Sequence, residues 1–531
     1  MMKTLQHIVT VAVLLLSAAC GAYAQNVYLS TDKSCYVAGD MIWCSAFCSG
    51  GNSVAYVELR STDGMVQSAR IALDNGRGCG FLQIPFSAPT GNYKLLAYTE
   101  GADPESGAAT VSVFNTLTSE RVKDGVEPVA DADYAASTGY IPVAQGLSVE
   151  TGKTVKLTNT SGSRVSVCLS VFCDDGLAAP EDRLIGKEFS GKMHSAASEG
   201  TEVDEGEILR LKLVGPDAAK IAGDPAAVAI VSVPGLKTDI YAAHVPASGE
   251  VELRTGNVFG DRDIVCMLYG IDDNADSHLE PVSPFAMKEI TDVKPLRICR
   301  SMEPALRQRT LSMQGEKRGI TDTLYTTLPT RREHFFLERE CRSYILDDYD
   351  RFPTMEEEFV EILKGVRARK MKGGNWAVSV LLSDDVRNSK PLWGFTLVMM
   401  DGVPLFDHNQ IMNYDPSMVK RVDIYPYTYK LGEITYGGAI NFVTYKGTMP
   451  GISFDDNVRI YDFKGACYPL SYRGAETLVW EPLLNLEPGQ TVEFDCSGAR
   501  NGQTYDVKAE GVASDGSCVF ARKSFKGVSS F

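Results

Sequence analysis

Histidine is scarce in this chain. There are six in 531 residues: His7, His194, His244, His278, His334 and His408. None lies in H-E-x-x-H or beside a cysteine pair, so a zinc ion lacks ligands at usable spacing. No G-x-S-x-G elbow is present either. A triad assembled from distant residues would leave no such local signature. Long apolar runs are also missing. Beyond the N-terminus no stretch reaches the roughly 20 residues that a membrane-spanning helix needs. Positive charge is in deficit, with 52 Lys and Arg against 68 Asp and Glu, a net charge of −16. No global basic field exists to draw in nucleic acid or anionic lipid. These absences lead to an expectation of no metal, no cofactor, no nucleic acid and no catalysis.

The N-terminus carries one early basic residue, Lys3, then the apolar run Ile8–Leu16 and small residues ending Ala22-Tyr23-Ala24 before Gln25. That is the pattern of a secretory signal peptide over residues 1–24 with an A-x-A cleavage site. Cys20 offers the rival reading of a lipoprotein anchor, with Ser17 where a bulky aliphatic residue is usual. The expected location is the periplasm or the outer membrane, with no intrinsic membrane span after cleavage. About 507 residues would remain, room for three to five domains at roughly 100–200 residues each. Twelve cysteines would remain too. They are spread thinly rather than packed as in a small disulfide scaffold. Cys44 and Cys48 fall four apart on one apparent strand, share a face, and read as small buried hydrophobes.

From Asn26 to about Val113, short apolar or alternating runs are punctuated by Gly, Asp and Asn clusters. Regular strands of this kind point to a β-sandwich. Strand-like runs recur at Leu147–Val149, Val155–Leu157 and Val165–Phe172, followed by a polar loop over Gly176–Asp204. A third block holds Ile208–Leu213, Val228–Val233, Ile240–His244, Glu250–Arg254 and Ile264–Tyr269. Arg297–Arg318 is basic, loosely helical, and reads as a connector. Thr354–Arg367 predicts a helix: Met355, Phe359, Ile362, Leu363 and Val366 recur at helical spacing, with Thr354 as N-cap and Glu357 at the capping-box position. That stripe reads as core first and as a docking face second. Strand-like runs at Ala377–Leu382, Phe395–Met400, Val422–Tyr425 and Ile440–Tyr445, with a helix-like Ile411–Met418, make an α+β segment. Ser453–Phe531 returns to strands.

Several of these stretches resemble known families. Val27-Tyr28-Leu29-Ser30-Thr31-Asp32-Lys33, Tyr36–Trp43 and Pro89–Thr99 resemble the macroglobulin-type domain of Gram-negative envelope proteins, which implies a seven-stranded sandwich used as a structural arm. Glu205–Leu209, Val231-Ser232-Val233-Pro234-Gly235 and Ser248–Leu253 resemble a carboxypeptidase regulatory-like domain, a transthyretin-like sandwich without catalytic residues of its own. Leu397–Leu405, Asp415-Pro416, Val419–Tyr425 and Tyr436–Gly447 resemble, in order and spacing, the plug domain of TonB-dependent outer-membrane receptors. The motif positions are Asp401, Gly402, Pro404, Gly437, Gly438, Asn441, Thr444 and Gly447, read as structural. Asp401-Gly402 is a hairpin signal after an apolar strand, and Gly437-Gly438 permits a tight backbone path. In such receptors a 22-stranded barrel follows the plug. Here 84 residues follow Gly447, without the lipid-facing alternation of spanning strands. No TonB box is visible near Gln25. The chain therefore resembles a barrel-less relative. Thr477–Pro482 and Tyr505–Gly511 resemble a further sandwich found after such plugs.

Other chemistry gives way to structural readings. Gly186–Lys192 approaches a phosphate loop, but Met193 stands where Ser or Thr should hold magnesium. Gly76, Gly78 and Gly80 sit in a hairpin, not between strand and helix. Cys79 and Gln83 lack the surrounding motif of a macroglobulin thioester. Asp272, Asn274 and Asp276 begin like a calcium loop, but Ser277 and Ser283 replace the required Gly and Glu. The Asp347-Asp348-Asp350 cluster reads as solvated.

The sequence thus predicts a mainly β, multidomain protein of immunoglobulin- or transthyretin-like sandwiches with one small α+β plug-like domain. The expected divisions are 1–24 signal peptide, 25–118 macroglobulin-type sandwich, 140–204 second sandwich block with its polar loop, 205–285 regulatory-like sandwich, 286–343 connector, 344–447 plug-like domain and 448–531 C-terminal sandwich. The expected function is non-catalytic binding or scaffolding of outer-membrane or periplasmic proteins, with an accessory role in outer-membrane transport as one form of it. A surface adhesin or host-protein binder, and a cryptic hydrolase, are the alternatives.

Overall fold

The computed structural model describes residues 27–527 except 49–53, 106–107, 135–141, 178–184, 189–206, 236–238, 257, 273–275, 324, 327–340, 383–392, 394, 433, 473 and 475. The signal-peptide and Cys20 readings, most of the 176–204 loop, and the centre of the calcium-like loop lie outside the described residues. The protein is mainly β and multidomain. Its chain divides into two compact units, each made of non-contiguous pieces. One takes the chain up to Asp204, Phe285–Thr327 and Ala466–Phe531; the other takes Glu205–Pro284 and Leu328–Gly465.

The first unit begins with a sandwich. A three-stranded sheet of Val27–Thr31, Met41–Cys48 and Arg77–Gln83 faces a five-stranded sheet ordered Cys35–Val37, Ala109–Phe114, Gly91–Tyr98, Val54–Ser61, Gly64–Ala72. Eight strands stand where seven were expected. The short Cys35–Val37 pairs in parallel with Ala109–Phe114, while the other pairings are antiparallel. Alternating residues from both sheets, among them Ile42, Cys44, Leu59, Ile71, Leu82, Tyr93 and Leu95, fill the core. Cys44 and Cys48 are both buried.

The second sandwich of this unit corrects the expected division. Val165–Asp174 is apolar along nearly its whole length, and nine of its ten residues are buried. Such a strand needs a neighbour on each side. Both arrive more than 300 residues later: Thr477–Leu486 on one edge and Thr504–Ala513 on the other. The sheet continues to Cys518–Lys526 and Val143–Gln145. Leu147–Thr151, Thr154–Asn159 and Thr491–Asp495 form the facing sheet. The strands between Val143 and Asp174 and those between Thr477 and Lys526, expected in separate domains, are therefore two halves of one sandwich sharing one core.

The 286–343 stretch is more than a connector. Leu296–Ile298 pairs with Val126–Pro128, and Glu303–Thr323 is a helix with Pro304 in its first turn, where the missing N–H costs nothing. Arg309 on that helix is buried. It donates to both carboxylate oxygens of Asp175 and to the Cys35 carbonyl. Met302 and Met313 pack with Cys35, Val37 and Phe114.

The second unit holds a sandwich whose three-stranded sheet is Glu250–Thr255, Glu207–Val214 and His278–Pro281. Its other sheet runs Asp239–His244, Val228–Val233, Asp261–Tyr269, Val458–Lys464. The last strand comes from beyond the plug-like segment, so 458–464 belongs here and not to a C-terminal sandwich. Residues 341–449 are thus an insertion between strands of one sandwich. They form a five-stranded mixed sheet ordered Arg342–Ile345, Val419–Leu431, Ile434–Thr444, Leu397–Met400, Val403–Pro404. Val366–Lys370 and Trp376–Val380 add a two-stranded ribbon.

The predicted 354–367 helix is shorter, Met355–Glu361. Thr354 caps it, its hydroxyl oxygen accepting from the Glu357 N–H at 3.3 Å. Gly365 then adopts φ +87° and turns the chain into a strand, so Val366 faces the core from a strand rather than a helix. Met355, Phe359, Ile362, Leu363 and Val366 all join one core, which settles that stripe as packing. The helix-like 411–418 stretch splits into a short turn of helix at Asn409–Met412 and a 3₁₀ turn at Pro416–Met418. All six residues of Val228–Val233 are buried. Val231 faces the sandwich core, while Val228 and Ile230 face Met400 and Phe442.

Candidate interaction site

The structure brings most of the plug-motif residues together at one end of the inserted sheet. Leu397–Met400 turns into Val403–Pro404 through Asp401 (φ +49°) and Gly402 (φ +82°). Two successive residues with positive φ make the tight hairpin that Asp-Gly favours. Asp401 is fully buried. One carboxylate oxygen accepts from the Thr444 N–H (2.7 Å); the other accepts from the Thr444 hydroxyl (2.6 Å) and the Met449 N–H (2.8 Å). The Thr444 hydroxyl oxygen in turn accepts from Gly447 N–H at 3.0 Å. Asn441 accepts from Gly402 N–H at 2.9 Å. Burial pushes the Asp401 carboxyl up, while Thr444 and Met449 pull it back. Asp401, Gly402, Asn441, Thr444 and Gly447 thus form one hydrogen-bonded latch, which holds the 445–449 loop against the hairpin.

The other three motif residues lie apart from the latch. Pro404 sits on the edge strand, the place a residue without an N–H can occupy. Gly437 donates to the Phe395 carbonyl at 2.6 Å. Gly438 has φ +97°, and a Cβ there would lie 2.7 Å from Val380 Cβ, so both its conformation and its surroundings demand glycine.

Two motifs that are separate in sequence meet here. Gly235 N–H donates to the Asp401 carbonyl at 3.3 Å. Pro234 and Gly235 line, with Lys446, Gly447 and Met449, a cleft of about 950 Å³ whose far wall is Asp261–Asp263 and Asp462–Lys464. Asp263 stands directly opposite Asp462 in the sheet, an arrangement that costs stability unless a cation or a basic group lies near. The cleft mixes both signs of charge and is suited to polar contact with another surface.

Elsewhere the chemistry resolves into packing. Cys79 is buried, and burial pushes its thiol up to about 12; Gln83 lies at the end of the same extended strand, about 13 Å away at ~3.3 Å per residue. A Cβ on Gly78 would lie 2.1 Å from the Ala72 carbonyl oxygen, and one on Gly80 2.8 Å from Cys467 Cβ, so these glycines permit close packing. Gly186 packs on the Phe520 ring; positions 189–193 of that phosphate-like loop lie outside the described residues. Exposed Asp347 accepts from the Tyr445 hydroxyl and from Arg351, both at 2.6 Å, and the two hold its carboxyl below the usual range. His408 Nδ1 accepts from Val378 N–H at 3.0 Å, and burial lowers its pKa. Among the described residues no group of three or more His, Cys, Asp or Glu could hold a metal ion, and no helix is long and apolar enough to cross a membrane.

Sequence reasoning missed a polar seam in the first unit. Glu510 is fully buried and accepts from Tyr28 OH (2.8 Å), Ser30 OH (2.7 Å) and Ile185 N–H (3.3 Å). Lys508 lies 3.7 Å from it. Asp32, also fully buried, accepts from Tyr36 OH (2.7 Å), Thr477 OH (2.8 Å) and Trp43 N–H (3.2 Å). The seam joins the two sandwiches of that unit. Its one visible signal was the cluster of polar residues Ser30-Thr31-Asp32-Lys33 beside an apolar strand.

No protein-family model matches this chain, and no curated protein matches it. Solved structures that align with it include α-2-macroglobulin from Salmonella reacted with methylamine, at 9% identity over 95% of this chain and 23% of that one, with a TM-score of 0.16. Trypsin-activated α-2-macroglobulin from Escherichia coli aligns at 8% identity over 96% and 24%, TM-score 0.16. The Escherichia coli adhesin FdeC aligns at 12% identity over 49% and 65%, TM-score 0.15. The chain spans about a quarter of the length of those macroglobulins. Likeness at these scores carries no argument about function.

Proposed function

We propose that this is an exported, non-catalytic protein of the cell envelope that binds or scaffolds outer-membrane or periplasmic proteins. The single observation that carries the reading is where the strands after the plug-like segment go. Val458–Lys464 completes the sandwich of the second unit, and Thr477–Lys526 supplies half of a sandwich in the first. Those strands pair with soluble-type sheets and are not free to build a barrel wall. The inserted sheet then acts as a rigid platform, and the latch at Asp401 fixes the loop that borders the 950 Å³ cleft. Export rests on the residue pattern of positions 1–24. The regulatory-like and plug-like assignments rest on sequence resemblance and on the meeting of their motifs at Gly235 and Asp401.

The test is crosslinking in intact cells, followed by affinity purification and mass spectrometry of the captured envelope proteins. One or more outer-membrane or periplasmic partners, lost when Lys446 and Asp462 are both replaced by Ala, is the expected result. Capture of none, or turnover of a substrate by the purified chain, would overturn the proposal.

A further inference from the structure

The first unit contains a second cleft, of about 610 Å³, within the ~300–1,000 Å³ range of small-molecule sites. Helix Glu303–Thr323 forms one wall and the 114–121 stretch the other. A hydrogen bond between the Thr116 and Thr310 hydroxyls (2.8 Å) ties the walls together. Its lining is divided by chemistry. Leu306 and the exposed Leu311 supply apolar surface above the buried Phe114 and Met302, and Arg121, Arg300 and Arg307 supply positive charge against the single carboxylate of Glu303.

The arginines carry the argument. All three are exposed, and among the described residues none of their guanidinium groups enters an ion pair. Arg309 on the same helix behaves in the opposite way: it is buried and committed to Asp175 and the Cys35 carbonyl. The helix therefore spends one arginine on holding itself in place and leaves Arg307, with Arg300 on the turn before it, facing the cleft. In a chain of net charge −16, three arginines around one partly apolar cavity are a local reversal of sign. Guanidinium forks match carboxylate and phosphate oxygens in geometry and charge.

We propose that this cleft binds a small amphiphile with an oxyanion head, phosphate or carboxylate, and a short hydrocarbon tail. The arginines take the head by charge-assisted hydrogen bonds, and Leu306 and Leu311 cover the tail. This inference stands apart from the contact function proposed above and does not need it.

Titration calorimetry on the full chain with octyl phosphate, below the concentration at which it aggregates, tests the idea. Saturable binding at one site per chain is expected. Inorganic phosphate, lacking the tail, and octanol, lacking the charge, should each bind at least about tenfold more weakly. The combined substitution Arg121→Gln, Arg300→Gln and Arg307→Gln should weaken octyl phosphate binding at least about tenfold with the unfolding transition unchanged. Arg164→Gln, outside the cleft, should leave it intact. No saturable binding, equal binding by the triple variant, or association only with phosphatidylglycerol vesicles and not with monomeric octyl phosphate would overturn the proposal.

Discussion

The two units join their parts in opposite ways. In the first, the two sandwiches meet across buried charge: Asp32, Glu510 and Lys508 with the hydroxyls of Tyr28, Ser30, Tyr36 and Thr477. In the second, the sandwich and the inserted α+β segment share one apolar core, where Val228, Ile230, Val265 and Met267 pack with Phe359, Met400 and Phe442. A charged seam is strong only while every member is satisfied. An apolar seam depends on volume and tolerates changes of pH. The difference predicts that the two junctions fail under different insults.

The largest expected effects form a matched pair. Glu510→Ala strips the partner from Tyr28, Ser30 and Lys508 and should cost about 3–5 kcal/mol, read as faster hydrogen exchange in the first unit. Phe442→Ala opens a cavity in the shared core and should cost about 3–5 kcal/mol, read as faster exchange in the second. Each variant should speed exchange in its own unit and leave the other unit's pattern unchanged; loss of protection in both units from either variant would contradict the comparison.

A smaller effect concerns Asp32. Burial raises its carboxyl above the ordinary 3.8, although Lys33, Tyr36 and Thr477 pull it down. The folded state therefore favours the protonated form. That contribution is present below pH 3.8 and is lost as pH rises through the folded value. The Lys508 amine is shifted the other way, lowered from 10.5 chiefly by burial; its contribution is present at high pH and is lost as pH falls. Asp32→Asn should remove the first dependence, so denaturant midpoints of variant and wild type should diverge as pH climbs from 4 towards neutrality, in favour of the variant. Parallel midpoints over that range would contradict the assignment. The smallest effect is expected at Thr354→Ala, about 1 kcal/mol from loss of the helix cap, confined to exchange in Met355–Glu361.

Local chemistry was legible in the sequence and long-range pairing was not. Asp401-Gly402 announced its hairpin, Thr354 its cap, and most strands their alternation. The 354–367 helix ran too long because Leu363 and Val366 fit helical spacing; Gly365 was the stop signal. The expected strand Val422–Tyr425 stops just before Pro426, whereas Val419–Leu431 runs through it. In the structure the ladder shifts register there, between Tyr425 and Thr428, and resumes, the bulge a proline permits. Val165–Asp174 was recognised as a strand, but its apolar run says only that two neighbours exist, not that both lie beyond residue 476. The same limit hid the seventh strand of the second unit's sandwich, Val458–Lys464. At the candidate site the motif residues were legible as turn and packing positions. The latch from Asp401 to Thr444 and Met449 needed the fold to bring them together.

The strands beyond the inserted segment are spent on sandwiches. Hydrogen exchange on a chain ending before Thr477 tests this most directly. Val165–Asp174, stripped of both neighbours, should lose its protection, while Val228–Val233 keeps its own. Protection of Val165–Asp174 that survives the truncation would contradict the account.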